Sequence, residues 1–321
     1  MNILLVGAGG MGTTHYNNYR QIDGAQVAAL VGTTQQDRDT AQDWGIPCFE
    51  SIAQAVQVVT VDAADICVPT YLHKELALQA FACGLHVICE KPCALSLADG
   101  RQMFEAAKAA HRQLYVAQVV RFTPETAVLR RVIEEKTYGA PVDAVFERLS
   151  ARPAWTQGSW LMEKEKSGLL PFDLHIHDLD LAVSLFGAPS EVLIAAEHAD
   201  GSLPTQCRLT YKWADGMTAS AEAAWFNACI PFTARWRVSF EKGMLIYDGE
   251  SVKGYDAAGQ TVTYDTTDPV MIPGGANLPA NGWFYRELSH FVACAQQNIP
   301  SPIVTEEQVL AVLSVLEEIS A

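Results

Sequence analysis

The chain has 321 residues, 49% hydrophobic and 18% charged, a folded-protein composition long enough for two domains. Its 22 basic and 37 acidic side chains leave a net charge of −15, which repels phosphate backbones and anionic lipid surfaces and excludes nucleic acid as a partner. No stretch reaches the roughly 18 apolar residues of a membrane span, so a membrane partner is excluded too.

In chain order, the opening run Met1–Val6 is too short for a signal sequence and reads as a first strand, which makes the cytoplasm the expected location. Apolar runs at Ile3–Val6, Gln26–Val31, Ala64–Val68, His86–Cys89 and Leu114–Val119 predict buried strands. Between them, Thr13–Ile22, Gln35–Trp44, Leu72–Cys83 and Leu97–His111 read as helices. Gly24, Gly45 and Gly84 stand where left-handed closing residues are expected, and Ser96 where an N-cap is. Strands alternating with helices predict a doubly wound parallel sheet of the Rossmann kind over residues 1–120.

The pattern changes over residues 121–321. A helix at Pro124–Lys136 leads into a long strand at Val142–Ser150, and another helix is expected at Ile176–Phe186. Strand-like runs follow at Glu191–Glu197, Cys207–Trp213, Met217–Trp225, Ala234–Glu241 and Met244–Asp248, with hairpin signals at Ala214-Asp215-Gly216 and Lys242-Gly243. Helices at Trp283–Gln296 and Thr305–Ile319 close the chain. The fold class is therefore α/β: a Rossmann domain followed by an α+β domain on a mostly antiparallel, open sheet. Eight cysteines with no C-x-x-C pair read as small core hydrophobes rather than disulfides or a zinc ribbon.

Gly7-Ala8-Gly9-Gly10-Met11-Gly12 is G-x-G-x-x-G between a strand and a helix. The first glycine permits the tight turn, the second lets backbone approach a pyrophosphate, and the third lets helix and strand pack closely. A carboxylate for the ribose of NAD is expected about twenty residues further on. That position is Gly32, followed by Thr33 and Thr34, with Arg38 beyond. Two hydroxyls and an arginine without a carboxylate favour NADP slightly over NAD; Thr34 as a helix cap and Arg38 as a solvated side chain are the alternative.

Val68-Pro69-Thr70, His73, and Gly84-Leu85-His86-Val87-Ile88-Cys89-Glu90-Lys91-Pro92, taken with the glycine turn, resemble the Gfo/Idh/MocA family of nicotinamide-dependent oxidoreductases. That family includes glucose–fructose oxidoreductase and inositol dehydrogenases. A second signature, approximately G-G-x-x-x-D-x-x-x-H-x-x-D, is matched by the stretch from Gly168 through Asp173 and His177 to Asp180. The chain departs from the family at Leu169, where a second glycine is usual, and at Gly32, where an acid is common. The resemblance implies a cofactor site including Gly7, Gly9, Gly10, Met11, Gly12, Gly32, Thr33, Thr34, Arg38, Pro69, Thr70, His73, Glu90 and Lys91. It implies catalysis by Lys91, His177 and Asp173 on a sugar or cyclic polyol, and assembly as a homodimer or homotetramer.

Lys91 follows a parallel strand, at the sheet edge where α/β folds bind ligands, and its ammonium suits a developing alkoxide. A surface lysine is the plain alternative. Histidine suits transfer of the hydroxyl proton, with Asp173 orienting it or holding a substrate hydroxyl. His175 and Asp178 are expected to face elsewhere, and Asp180 to be structural. Arg121 and Gln118 end the last Rossmann strand, near nicotinamide or substrate. Trp155 and Trp160, with Arg152, Lys164 and Lys166, suit sugar faces and hydroxyls, or simply pack a loop. A metal held by the D-x-H-x-H-D run is the rival here; the reading adopted has no metal. A glycosidase or lyase that oxidises a ring carbon transiently, and a dinucleotide-sensing regulator without catalysis, are the rival functions.

Overall fold

In the computed structural model, residues 1–153, 159–200, 203–275 and 279–320 are described. Their contacts divide the chain into one unit of Met1–Phe122 with Asp268–Glu306 and another of Thr123–Thr267 with Glu307–Ala321. Asp268–Glu306 thus belongs with the first unit although it follows the second in sequence.

That unit runs β1 (Asn2–Val6), α1 (Gly10–Tyr19), β2 (Gln26–Val31), α2 (Gln35–Trp44), β3 (Cys48–Phe49), α3 (Ile52–Val58), β4 (Ala63–Ile66), α4 (His73–Ala82), β5 (His86–Glu90), α5 (Leu97–Ala109) and β6 (Leu114–Ala117). The six strands are parallel in the order β3-β2-β1-β4-β5-β6. Ile3, Leu4, Leu5, Ile66, Val87 and Ile88 are wholly buried, as a sheet covered on both faces requires. The short β3 and α3, with little apolar periodicity of their own, escape the sequence reading. α2 opens on a capping box in which Thr34 accepts from the Asp37 N–H and Asp37 accepts from Thr34.

The second unit holds α6 (Pro124–Glu134), β7 (Pro141–Ala151), α7 (Lys164–Ser167), a π-helical turn at Pro171–His175 and α8 (Ile176–Phe186). It continues with β8 (Glu191–Asp200), β9 (Leu203–Lys212), β10 (Thr218–Phe226), β11 (Thr233–Phe240), β12 (Gly243–Tyr247), β13 (Val252–Asp256) and β14 (Thr261–Tyr264). The strand order is β14-β13-β12-β11-β7-β10-β9-β8, antiparallel except for the β7–β10 pair. Both expected hairpins form, β9 with β10 and β11 with β12. In β7, Ala144, Phe146 and Arg148 are buried at alternate positions, and α8 lies against this strand and β10.

α9 (Trp283–Gln296) packs on α1 in the first unit, and α10 (Glu306–Ile319) follows. Asp268 is bound by both guanidinium nitrogens of Arg286, which hold its carboxyl down at about 2. No described helix is long and apolar enough to cross a membrane. All eight cysteines are free; Cys48 and Cys83 are half-buried and Cys229 is exposed, so these three are not core residues.

Candidate active site

The glycine turn leaves β1 at Gly7, whose φ of +93° only glycine adopts comfortably and whose N–H donates to the Val31 carbonyl at 2.9 Å. A side chain at Gly12 would collide with the Gly7 carbonyl, so the third glycine is a packing requirement. One at Gly9 would meet nothing within 4 Å. The second glycine therefore keeps open space rather than relieving a clash, as an approaching pyrophosphate needs. α1 begins at Gly10, three residues earlier than expected, and no side chain caps it. The amides of Gly10, Met11 and Gly12 are thus the donors a phosphate would meet.

Around the end of β2, Gly32 is glycine for a steric reason: a Cβ there would run into Asp37. The Asp37 Oδ2 accepts from the Thr34 N–H at 2.9 Å and its hydroxyl at 2.7 Å. Thr34 is thus the helix cap of the plainer alternative. Arg38 reaches back to the Thr33 carbonyl with Nη1 at 3.2 Å, which lays its guanidinium over the turn after Gly32.

At the ends of β4 and β5 the expected residues are close but do different work. Thr70 opens a 3-10 turn just after Pro69 and is buried. His73 is also buried, its Nδ1 2.8 Å from the Pro92 carbonyl and its Nε2 2.8 Å from that of Val68. Burial lowers its pKa, and the two carbonyl oxygens facing its ring nitrogens offset this in part. The ring lies between the loops that follow β4 and β5. The Glu90 carboxylate accepts from the Lys91 N–H at 3.0 Å, and the Lys91 side chain is half-buried at the carboxyl edge of β5. Gln118, after β6, is buried, and its Oε1 has no hydrogen-bond partner among the described residues. Arg121 is 4% exposed and donates to the Ile303 carbonyl at 2.7 Å, a tie within the first unit.

In the second unit, Asp173 and His177 are the two half-buried side chains between Pro171 and Val183; the rest are buried. Their neighbours explain this. The His175 Nε2 hydrogen-bonds the Tyr211 hydroxyl of β9, and Asp178 accepts both Nε and Nη2 of Arg148 on β7, at 3.2 and 2.8 Å. Burial, reinforced by Arg148, lowers His175 to about 3; burial pushes the Asp178 carboxyl up, and Arg148 offsets this in part. The sheet thus grips His175 and Asp178, while Asp173 and His177 keep part of their surface exposed. With His175 on Tyr211 and Asp178 on Arg148, the D-x-H-x-H-D run does not converge as a ligand set. Asp180 is buried, as its structural reading expects.

Leu169 takes φ +60°, a left-handed conformation that favours glycine, with a leucine side chain. Burial of that side chain offsets the backbone cost. Trp160 starts a short 3-10 turn and is half-buried. Trp155 lies outside the described residues.

The sequence reading missed His15, whose imidazole lies between Asp65 and Glu90, with Cys67 at 3.3 Å. Its signal was a histidine three residues past Gly12, on the buried side of α1. These ligand types could suit a metal. However, the 2.8 Å between His15 Nδ1 and Asp65 Oδ2 is a hydrogen-bond length, shorter than the roughly 3.3 Å or more between ligand atoms around tetrahedral zinc.

Both units have matches among known proteins. Residues 1–118 match the Gfo/Idh/MocA oxidoreductase family, NAD-binding Rossmann fold, and residues 126–246 match the Gfo/Idh/MocA C-terminal domain. The chain belongs to the Gfo/Idh/MocA family. Among its relatives, D-apiose dehydrogenase of Paraburkholderia graminis is 29% identical over 62% of this chain and 53% of its own length. Myo-inositol 2-dehydrogenase of Thermotoga maritima is 31% identical over 63% of this chain and 59% of its own. The chain thus spans little more than half the length of these curated relatives. An oxidoreductase from Agrobacterium radiobacter, solved with NAD+, L-tartaric acid and magnesium, superposes with a TM-score of 0.86 over 99% of this chain and 94% of that one. At 17% identity it speaks for the fold. The fold is therefore α/β, with a parallel Rossmann sheet and a mostly antiparallel second sheet.

Proposed function

We propose that this Gfo/Idh/MocA protein is a nicotinamide-dependent dehydrogenase or reductase acting on a secondary alcohol carbon of a sugar, sugar derivative or cyclic polyol. The observation that carries the reading is the pair Asp173 and His177, partly exposed in a run otherwise buried, in a chain whose signature lysine, Lys91, stands at a Rossmann sheet edge. The substrate class rests on the resemblance and on relatives named as apiose and inositol dehydrogenases.

The bound nicotinamide supplies the hydride acceptor or donor. Lys91 donates a hydrogen bond to the reacting oxygen and steadies alkoxide character as hydride leaves carbon. His177 takes the hydroxyl proton, and Asp173 orients that histidine or a substrate hydroxyl. Trp160 offers an apolar face to the ring. An absorbance screen for reduced nicotinamide, with sugars and polyols against both dinucleotides, tests this. In it, Lys91→Ala and His177→Ala lower kcat by about 10²–10⁴. Turnover with no net change in reduced cofactor would replace the dehydrogenase by the transient-oxidation reading.

Within this reading NADP is preferred. Arg38 folded over Thr33 supports it, while the Asp37 carboxylate already accepts two hydrogen bonds from Thr34. Gly32→Asp is a poor test, since the new side chain meets Asp37. Arg38→Ala weakens NADPH by about tenfold or more in a fluorescence titration and leaves NADH nearly unchanged, the loss expected for one charge-assisted hydrogen bond. Equal weakening of the two would remove Arg38 from the phosphate site. A homodimer or homotetramer belongs to the same resemblance, and light scattering decides it.

A further inference from the structure

Four ionisable side chains that the proposed mechanism does not use are packed together beneath the carboxyl edge of the Rossmann sheet. His15 on α1 and Asp65 on β4 are fully buried, and Glu90 and Cys67 are 7% and 8% exposed. His15 places Nδ1 2.8 Å from Asp65 Oδ2 and Nε2 3.1 Å from Glu90 Oε1. A neutral imidazole has one N–H and would turn a lone pair against the second carboxylate, whereas an imidazolium satisfies both. Burial opposes that charge, but with Asp65 beside it His15 is held well above the ordinary imidazole range. Burial pushes the Cys67 thiol up, so it stays protonated and donates to Asp65 Oδ1 at 3.5 Å. The Phe284 ring covers the imidazole, with centroids 5.9 Å apart.

Buried ions cost several kcal/mol each to desolvate, and apolar groups of equal volume often serve stability as well or better. The network therefore calls for a role beyond packing, and its remaining oxygen indicates one. Glu90 Oε1 faces the imidazolium, while Oε2 accepts from the Lys91 backbone N–H at 3.0 Å. On the far side, His73 holds the Pro92 carbonyl. The backbone from which the lysine departs is thus gripped on both sides of Lys91.

We propose that His15 and Glu90 are positioning residues for Lys91: the imidazolium orients the Glu90 carboxylate, and that carboxylate sets the direction in which the lysine leaves the strand. The proposal rests on the reading of Lys91 as the group that polarises the alcohol. It adds that the anchor of this lysine and the helix opened by the glycine turn share one buried network, since His15 lies three residues beyond Gly12 on that helix.

The test uses the full-length protein and the variants Glu90→Ala, Glu90→Gln, His15→Gln and Lys91→Ala. Trace labelling with acetic anhydride across pH, resolved by peptide mass spectrometry, follows the Lys91 amine against exposed Lys136, and needs no substrate. Glu90→Ala should change the rate of Lys91 labelling several-fold relative to Lys136. With a substrate from the screen, it should lower kcat far more than it raises KM, by up to about 10²-fold, the loss expected for a misplaced reacting group. Glu90→Gln keeps an oxygen for the Lys91 N–H and should recover most of both effects, while His15→Gln should change both in the direction of Glu90→Ala. Unchanged Lys91 labelling in Glu90→Ala and His15→Gln, with only a lower melting temperature, would overturn the proposal and leave the cluster as packing. If Glu90→Ala does not fold, His15→Gln decides by the same readout. Wild-type turnover in Lys91→Ala would instead sink the role given to the lysine, a failure distinct from that of its positioning.

Discussion

His175 and His177 are two residues apart and chemically identical, yet one is wholly buried and the other only half-buried. His175 is wholly buried against Tyr211, and burial with nearby Arg148 lowers it to about 3. An unfolded histidine takes a proton near pH 6.5, so between there and pH 3 the unfolded chain binds a proton that the folded chain refuses. Stability from His175 is therefore present above pH 6.5 and falls on acidification by about 1.4 kcal/mol per pH unit within that window. His15, raised rather than lowered, is protonated in both states below pH 6.5 and adds no slope there. In urea unfolding, His175→Gln should be less stable than wild type at pH 7, and the gap should narrow towards pH 5. A gap independent of pH would show that the ring is not held neutral. Arg148→Ala belongs to the same scale: it strands the Asp178 carboxylate in the core and should cost about 3–5 kcal/mol, while the dinucleotide affinity of the first unit stays unchanged.

Among the elements, the turn into α1 separates two uses of glycine that its motif writes alike. At Gly12 a methyl group collides with the Gly7 carbonyl; at Gly9 it points into open space. Gly12→Ala should therefore lower both the melting temperature and the dinucleotide affinity. Gly9→Ala should leave melting of the free protein nearly unchanged while dinucleotide affinity falls, as read by calorimetry. Similar melting losses in both variants would deny Gly9 its place against the pyrophosphate. The second element of consequence is the π-helical turn at Pro171–His175 running into α8. A spacing of four residues reads as one face of an α-helix, but here it crosses a change of helix type. His175 and Asp178 are held by β9 and β7, and Asp173 and His177 are the side chains of this run left partly exposed.

For the molecule as a whole, the Rossmann unit is completed by a segment that follows the entire second sheet. α9 buries Phe284, Leu288 and Phe291, with Phe291 stacked on Tyr115 at 5.3 Å between centroids. Arg286 Nε donates to the Phe122 carbonyl at 2.9 Å, and the Tyr115 hydroxyl to that of Ile299 at 2.8 Å. A fragment of residues 1–122 should therefore lack cooperative urea unfolding and dispersed amide resonances. Joining residues 268–306 to it through a flexible linker should restore both. Phe291→Ala in the full chain should cost about 3–5 kcal/mol. Cooperative folding of 1–122 alone would show that α9 covers a domain already complete.

The sequence by itself determined whatever depends on neighbours along the chain. Alternating apolar runs and helical stretches gave the parallel sheet, turn residues gave the hairpins of the second sheet, and G-x-G-x-x-G between strand and helix gave the dinucleotide turn. The two family signatures marked Lys91, Asp173 and His177. Tertiary structure decided what each side chain faces, because that is set by residues far away in sequence. His73 became a brace between two carbonyls, Arg121 a tie to Ile303, and Gly32 a space filled by Asp37. His15 joined Asp65, fifty residues on, and Glu90, seventy-five on, in a network no local pattern announces. The return of Asp268–Glu306 to the first unit was equally hidden, since an amphipathic helix states that it has an apolar face but not which surface will cover it.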